Sequence, residues 1–226
     1  MSRNRPAGSR WFVVAIYAVA MGWVEAAVVY YLRTLVDRID PYQPNPLPIA
    51  TGLGQAELVR ELATLIMLLT VGWLAGVTWR RRLGYSLVAF GIWDIFYYVF
   101  LRIMTGWPKS LLDWDILFLI PLPWWGPVWA PTSIALLMIL WGTLATQFEN
   151  PPARQRFKVA ALACLGIALA LYAFMADAIQ VADRGTEALR TLLPVEFNSL
   201  LFCAALILMA MPSLETVWRI WCGKTQ

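Results

Sequence analysis

Histidine is absent from the 226-residue chain. With it go imidazole zinc sites, bis-histidine haem ligation, Ser-His-Asp and Cys-His catalysis and the HExxH metalloprotease pattern. Cysteine is scarce, at Cys164, Cys203 and Cys222, and never spaced as CxxC, so neither a zinc ribbon nor a thioredoxin-like motif is available. The role that remains for them is that of small apolar residues. Charge is scarce too: 14% of residues are charged against 60% apolar, with 13 Trp and a mean hydropathy of +0.62. That apolar fraction lies far above the ~45–50% of ordinary globular chains and excludes a water-soluble fold.

Long uncharged stretches mark where the chain meets a bilayer, because a spanning helix needs ~20 apolar residues. Residues 11–32 carry only Glu25 and residues 83–101 only Asp94, while 62–79, 116–148, 159–176 and 197–214 carry no charge. The fourth run, 116–148, is too long for one span, since as a helix it reaches ~50 Å against a ~30 Å hydrocarbon core. Pro121, Pro123, Pro127 and Pro131 interrupt it. The sequence therefore predicts an all-α, polytopic integral membrane protein, a single transmembrane domain over 1–226. Its helices fall near 11–33, 58–79, 83–104, 130–148, 158–177 and 197–217, with a Pro-broken interfacial or re-entrant segment at 115–129. Trp124, Trp125 and Trp129 suit an interface. The GLG at 52–54 lacks the flanking elements of a phosphate loop and reads as a turn.

Orientation follows from Lys and Arg. With the N-terminus inside, Arg3, Arg5, Arg10, Arg80, Arg81, Arg82, Arg154, Arg156, Lys158, Arg219 and Lys224 face the cytoplasm, 11 of 18 basic residues, with only Glu149 and Glu215 among the 14 acids. The remaining acids belong to the outer loops or outer membrane half. The positive-inside rule thus gives a multi-pass protein of a cell membrane, of the bacterial inner-membrane kind, with both termini cytoplasmic. The net charge of +4 is a topological bias and not a nucleic-acid footprint. Ala18-Val19-Ala20 imitates a signal-peptide end, but the apolar run continues past it, so an uncleaved first helix is expected.

Two stretches echo each other: GWVEAAVVYYLR at 22–33 and GIWDIFYYVFLR at 91–102. Aligned on Glu25 and Asp94, both have Gly three residues before the acid, a Tyr pair after it, and Arg eight residues on. Each acid then lies ~12 Å below its Arg, at matched depth. A parallel repeat of helix pairs, first with second and third with fourth, would account for this; interface composition alone is the competing account.

A carboxylate in a membrane helix costs ~2.5–3.5 kcal/mol on insertion scales, so each needs a reason. Glu25 and Asp94 are the leading catalytic candidates, joined by Glu61 in ELVREL and Asp115 at the mouth of the Pro-broken segment. Asp113 beside it reads as an exposed loop acid, and Asp177 is a weaker candidate on depth alone. In the functional reading they line a polar cavity where one acid donates or shuttles a proton while another stays ionised. In the structural reading Arg60 or Arg102 neutralises them to lock helices together. Arg60, Arg102, Tyr97 and Tyr98 are the substrate-binding candidates: Tyr97, Tyr98 and Arg102 come three, four and eight residues after Asp94, on its face. Glu57 reads as a first-turn acid answering the helix end, and Trp93 as a lipid-facing or packing residue. No cofactor is expected, although oxygen ligands from Glu25, Glu61, Asp94 and Asp115 suit a divalent cation such as magnesium or calcium.

Three functions fit these features. The first is a membrane-embedded enzyme performing acid/base chemistry on a lipid or isoprenoid substrate from the outer half of the bilayer. The second is a proton-coupled carrier of a small solute. The third is a non-catalytic subunit or assembly factor of a larger membrane protein complex. The partners are accordingly membrane lipid, a lipidic substrate or a membrane protein, and not nucleic acid. The orientation is checked with single cysteines in a chain freed of its own three. Asn45→Cys is expected to react with an impermeant maleimide from outside, and Arg81→Cys and Arg154→Cys only from inside; labelling of position 81 from outside overturns the six-span arrangement.

Overall fold

The computed structural model describes residues 7–43, 52–148 and 153–222. Arg3, Arg5, Glu149, Lys224 and the Pro-rich stretch around Asn45, on which part of the orientation argument rests, lie outside the described residues. Six helices are long and apolar enough to cross a membrane: α1 (Ala7–Leu35), α2 (Gly52–Ala75), α3 (Trp79–Thr105), α4 (Trp129–Gln147), α5 (Ala153–Val181) and α7 (Ser199–Cys222). The short α6 (Thr186–Arg190) joins the last two, and two three-residue strands, β1 (Trp114–Ile116) and β2 (Trp125–Pro127), precede α4. The chain is an all-α bundle, with the apolar runs as its spans and exposed Leu, Ile, Val, Phe and Trp side chains around its outside.

Helix α3 is the hub: it packs against α1, α2 and α4, while α5 pairs with α7 and reaches the rest through α7 on α4 and through β2. Small residues allow these approaches, as in membrane interfaces where no hydrophobic drive separates helix from lipid. A Cβ on Gly142 would lie 2.5 Å from the Gly84 carbonyl oxygen, and one on Gly91 would lie 2.5 Å from that of Ala135. Gly166 stands likewise against Ala205 between α5 and α7. Val14, Ala18, Leu68, Tyr85, Val88 and Trp93 form the core between α1, α2 and α3.

Helix ends depart from the hydropathy pattern where capping chemistry overrides it. The second helix, expected at 58–79, ends at Ala75, and the third begins at Trp79 behind Thr78, whose hydroxyl accepts the Arg81 amide at 3.4 Å. Arg80, Arg81 and Arg82 therefore belong to the first turn of α3 and not to a connection. They also do more than bias topology. Arg80 donates to the carbonyls of Ala145 (2.8 Å) and Phe148 (2.7 Å) at the end of α4, and Arg82 to Gly76 O (3.2 Å) past the end of α2 while lying over the Trp73 ring. Arg10 donates to Ala75 O at 3.4 Å. Basic groups on helix C-termini answer both orphan carbonyls and the dipole. Gly52–Gly54, expected as a turn, opens α2 instead.

The Pro-broken segment is a β-hairpin. Trp114 pairs with Pro127, Asp115 with Gly126 and Ile116 with Trp125, and the ladder extends through Leu117 N–H to Trp124 O at 2.9 Å. The amides of Ile116, Leu117, Leu119, Trp124, Val128 and Trp129 find partners within the protein, as non-helical chain beside a bundle requires. Trp124 stacks on Phe174 of α5, with ring centroids 6.2 Å apart and planes 7° from parallel, so the hairpin bridges the two halves of the bundle.

The α3–α4 contact is the sensitive one. Gly142→Ala is expected to destabilise the protein by about 1–3 kcal/mol through overpacking against Gly84, read as a lowered melting temperature in detergent. Gly8→Ala, whose Cβ meets nothing within 4 Å, is expected to leave the melting temperature unchanged or slightly raised.

A candidate site of carboxylates and arginines in the bundle

A cavity of about 760 Å³ runs between the helices beneath the hairpin. At one end it is lined by Glu25 and Arg33 of α1, Glu57, Arg60, Glu61 and Thr64 of α2, Asp94, Tyr97 and Tyr98 of α3, and Asp115 of β1. Beyond them an apolar arm continues between α4 and α5, past Ile134, Met138, Trp141, Ala163, Ile167 and Leu171. Arg38 lines the polar end as well. Of the other seven acids and arginines named there, six are held by partners, and how they are held differs.

The first group is a buried ion pair. Arg33 (8% exposed) donates to Asp115 Oδ1 (1% exposed) at 2.7 Å. Tyr98 donates its hydroxyl to Asp115 Oδ2 at 3.1 Å, and the Ile116 amide donates to Oδ1 at 2.9 Å. Arg33 also reaches Ile39 O at 3.2 Å and lies over the Trp107 ring at 4.3 Å. Charges removed from water this completely persist only when their remaining hydrogen-bonding capacity is met, as it is here.

The second group is centred on Arg60, which forms ion pairs with both Glu25 and Glu57. Thr64, one turn along α2, donates to Glu25 Oε2 at 3.3 Å. The third is Glu61, whose two oxygens accept the Leu119 amide at 3.2 and 2.9 Å, tying α2 to the hairpin. Asp94 stands apart. Among the described residues its Oδ2 is buried without a hydrogen-bond partner, as is the indole N–H of Trp93 beside it and that of Trp124 across the cavity.

Seven of the eight residues expected at the site therefore line one cavity: Glu25, Glu61, Asp94, Asp115, Arg60, Tyr97 and Tyr98. Arg102 does not. It is exposed and donates to the carbonyls of Gly106 and Pro108, closing the end of α3 where Gly106 turns the chain at a φ of 77°. Its counterpart in the sequence echo, Arg33, is the buried partner of Asp115, although its sequence context marks only the membrane surface. Glu57 also escapes a reading of the sequence, because a first-turn acid has a sufficient local explanation. Trp93, expected to face lipid or to pack, is 5% exposed and lines the cavity. Asp177 is absent from the lining. Asp113 is a loop acid: partial burial works against its charge, but Ser110 Oγ (2.7 Å) and the Lys109 amide (2.6 Å) outweigh it and hold the carboxyl below the usual aspartate range.

Among the described residues, no three Asp, Glu or Cys side chains converge closely enough to hold a metal ion. The acids are instead distributed among arginine, amide and hydroxyl partners. No protein-family model, curated protein or solved structure matches this chain.

Breaking the buried pair from one side leaves a lone charge in the bundle. Arg33→Met is expected to destabilise the protein by about 3–5 kcal/mol, whereas Arg33→Met combined with Asp115→Leu recovers much of that loss. Thermal melting of the two single variants and the double variant in detergent checks the coupling; equal losses for the single and double variants would mean the pair contributes only packing.

Proposed function

We propose that this protein is a membrane-embedded enzyme that uses its buried carboxylates for acid/base chemistry on a lipid or isoprenoid substrate. The observation that carries this reading is a single cavity in which charged and phenolic groups at one end are followed by a long apolar arm, with Arg80 and Glu215 beyond it at the far end. Such a shape matches an amphiphile, whose chain belongs in the arm and whose reacting end belongs among the acids. Asp94 is the acid/base residue, because it lines the cavity and its Oδ2 has no hydrogen-bond partner among the described residues to fix its protonation. Glu25 and Arg60 neutralise and orient one wall. Asp115, Arg33 and Tyr98 fix the other.

The apolar arm favours a substrate drawn laterally from the bilayer. Helices α2 and α5 bound the cavity on opposite sides, and among the described residues they do not pack against each other. With the basic helix ends cytoplasmic, as the positive-inside rule requires, the acid cluster lies in the outer half of the membrane.

A carrier reading is favoured by one feature. The cavity lining extends from Arg38 and Pro41 at the acid end to Arg80 and Glu215 at the arginine end, close to the full depth of the bundle. Quantitative lipid profiling separates the two. Expression of the wild-type chain is expected to change the level of at least one lipid species, and Asp94→Asn, inserted and folded to the same extent, to abolish the change. An unchanged lipid profile together with Asp94-dependent uptake of a water-soluble solute would establish the carrier in place of the enzyme.

A further inference from the structure

The orphan polar atoms of the cavity specify the head group of its ligand. Among the described residues three buried side-chain atoms on the lining have no hydrogen-bond partner: the acceptor Asp94 Oδ2 and the donors Trp93 Nε1 and Trp124 Nε1. Trp93 and Asp94 are consecutive on α3. Leaving a buried donor or acceptor unmet costs about 1–3 kcal/mol each, so a site that retains both kinds is one completed by its ligand.

The charged groups narrow the choice. The polar end holds five carboxylates, Glu25, Glu57, Glu61, Asp94 and Asp115, against three arginines, Arg33, Arg38 and Arg60, of which Arg33 is engaged by Asp115 and Arg60 by Glu25 and Glu57. A phosphate or diphosphate entering this end would meet more carboxylates than cations, an arrangement of like charges that a low-dielectric site makes costly. An ammonium group would satisfy Asp94 but could accept nothing from an indole N–H. A hydroxyl does both with one atom, donating to a carboxylate and accepting from an indole.

The walls suit an apolar chain attached to that head group. Tyr97, Trp93, Phe90, Phe118, Trp124 and Phe174 form a continuous series of rings, neighbouring centroids lying between 5.1 and 6.5 Å apart, from the acid end toward the arm. All six line the cavity.

We propose that the cavity binds a long-chain alcohol without a phosphate. Its hydroxyl donates to Asp94 and accepts from Trp93, and its chain runs along the ring wall into the arm between α4 and α5. This rests on the lipid-substrate reading and deepens it, since a hydroxyl on a carboxylate is the arrangement from which general-base chemistry starts.

The test uses three probes with the same twelve-carbon, diazirine-bearing chain and a hydroxyl, trimethylammonium or phosphate head, added to the full chain in neutral maltoside micelles. After irradiation, cross-links are located by peptide mass spectrometry. The alcohol is expected to label arm residues of α4 and α5, to be displaced by excess dodecanol, and to exceed the other two probes by about tenfold. Trp93→Phe, which removes the donor and keeps an aromatic ring at this core position, is expected to weaken alcohol labelling by about 5- to 10-fold in protein that still inserts and folds. Ala163→Phe, which fills the arm from α5, is expected to abolish it. Stronger labelling by the phosphate or ammonium probe, or indifference to Trp93→Phe, overturns the hydroxyl assignment while leaving a lipid substrate standing. Labelling of the arm by none of the three overturns both.

Discussion

The buried contact between Arg33 and Asp115, 2.7 Å long, is what the rest of the site depends on. It fastens the β-hairpin to α1, and the hairpin in turn supplies the roof of the cavity and the Leu119 amide that holds Glu61. Together with the Leu119–Glu61 hydrogen bonds and the Trp124–Phe174 stack, that anchor holds a Pro-broken segment carrying Trp124 and Trp125 over the bundle instead of along a membrane surface. The partners from Tyr98, Ile116 and Ile39 explain how such a pair persists, because an ion pair in a low-dielectric interior survives only with its remaining valences met.

Two kinds of polar group thus coexist at one end of the bundle. Glu25, Glu57, Glu61 and Asp115 are answered by arginine, threonine, tyrosine or amide partners and behave as architecture as much as chemistry. Asp94 and the neighbouring indole are not answered. The contrast matters because in a protein interior an unmet group is expensive; Trp107, Trp125 and Ser213 carry such atoms away from the cavity, but Asp94 is the one carboxylate among the described residues that does. Matched depth of Glu25 and Asp94, which the repeated sequence strings imply, therefore does not bring matched roles. Both line the cavity, but Glu25 is locked into an ion pair with Arg60, whereas Asp94 Oδ2 has no partner among the described residues.

The arm of the cavity has a different origin. Close packing of α3 on α4 through Gly84, Gly91 and Gly142 draws those helices together, and Gly166 does the same for α5 on α7. Among the described residues the two tight pairs meet only through α7 and the hairpin, which leaves a gap between α4 and α5. Small residues at the helix contacts thus create the space for a chain as well as closing the helices around it.

The six spans were legible in the sequence because transfer of apolar residues into lipid depends on composition over ~20 residues and hardly on context. Glu25, Asp94, Glu61 and Arg60 were legible for the same reason, as charges inside or beside apolar runs that hydropathy alone does not tolerate. Helix ends were less so, since Gly76 and Thr78 stop and restart the chain by capping geometry while hydropathy continues. Arg33 and Arg102 mark the boundary most clearly. They occupy equivalent positions in matching strings, yet one is buried against Asp115, 82 residues away, and the other closes its own helix at Gly106. Local sequence set the depth and the helical face of each. Only the tertiary structure decided which would meet a carboxylate, because that depends on where a distant hairpin folds back, and the hairpin's position is fixed by packing that no single segment encodes.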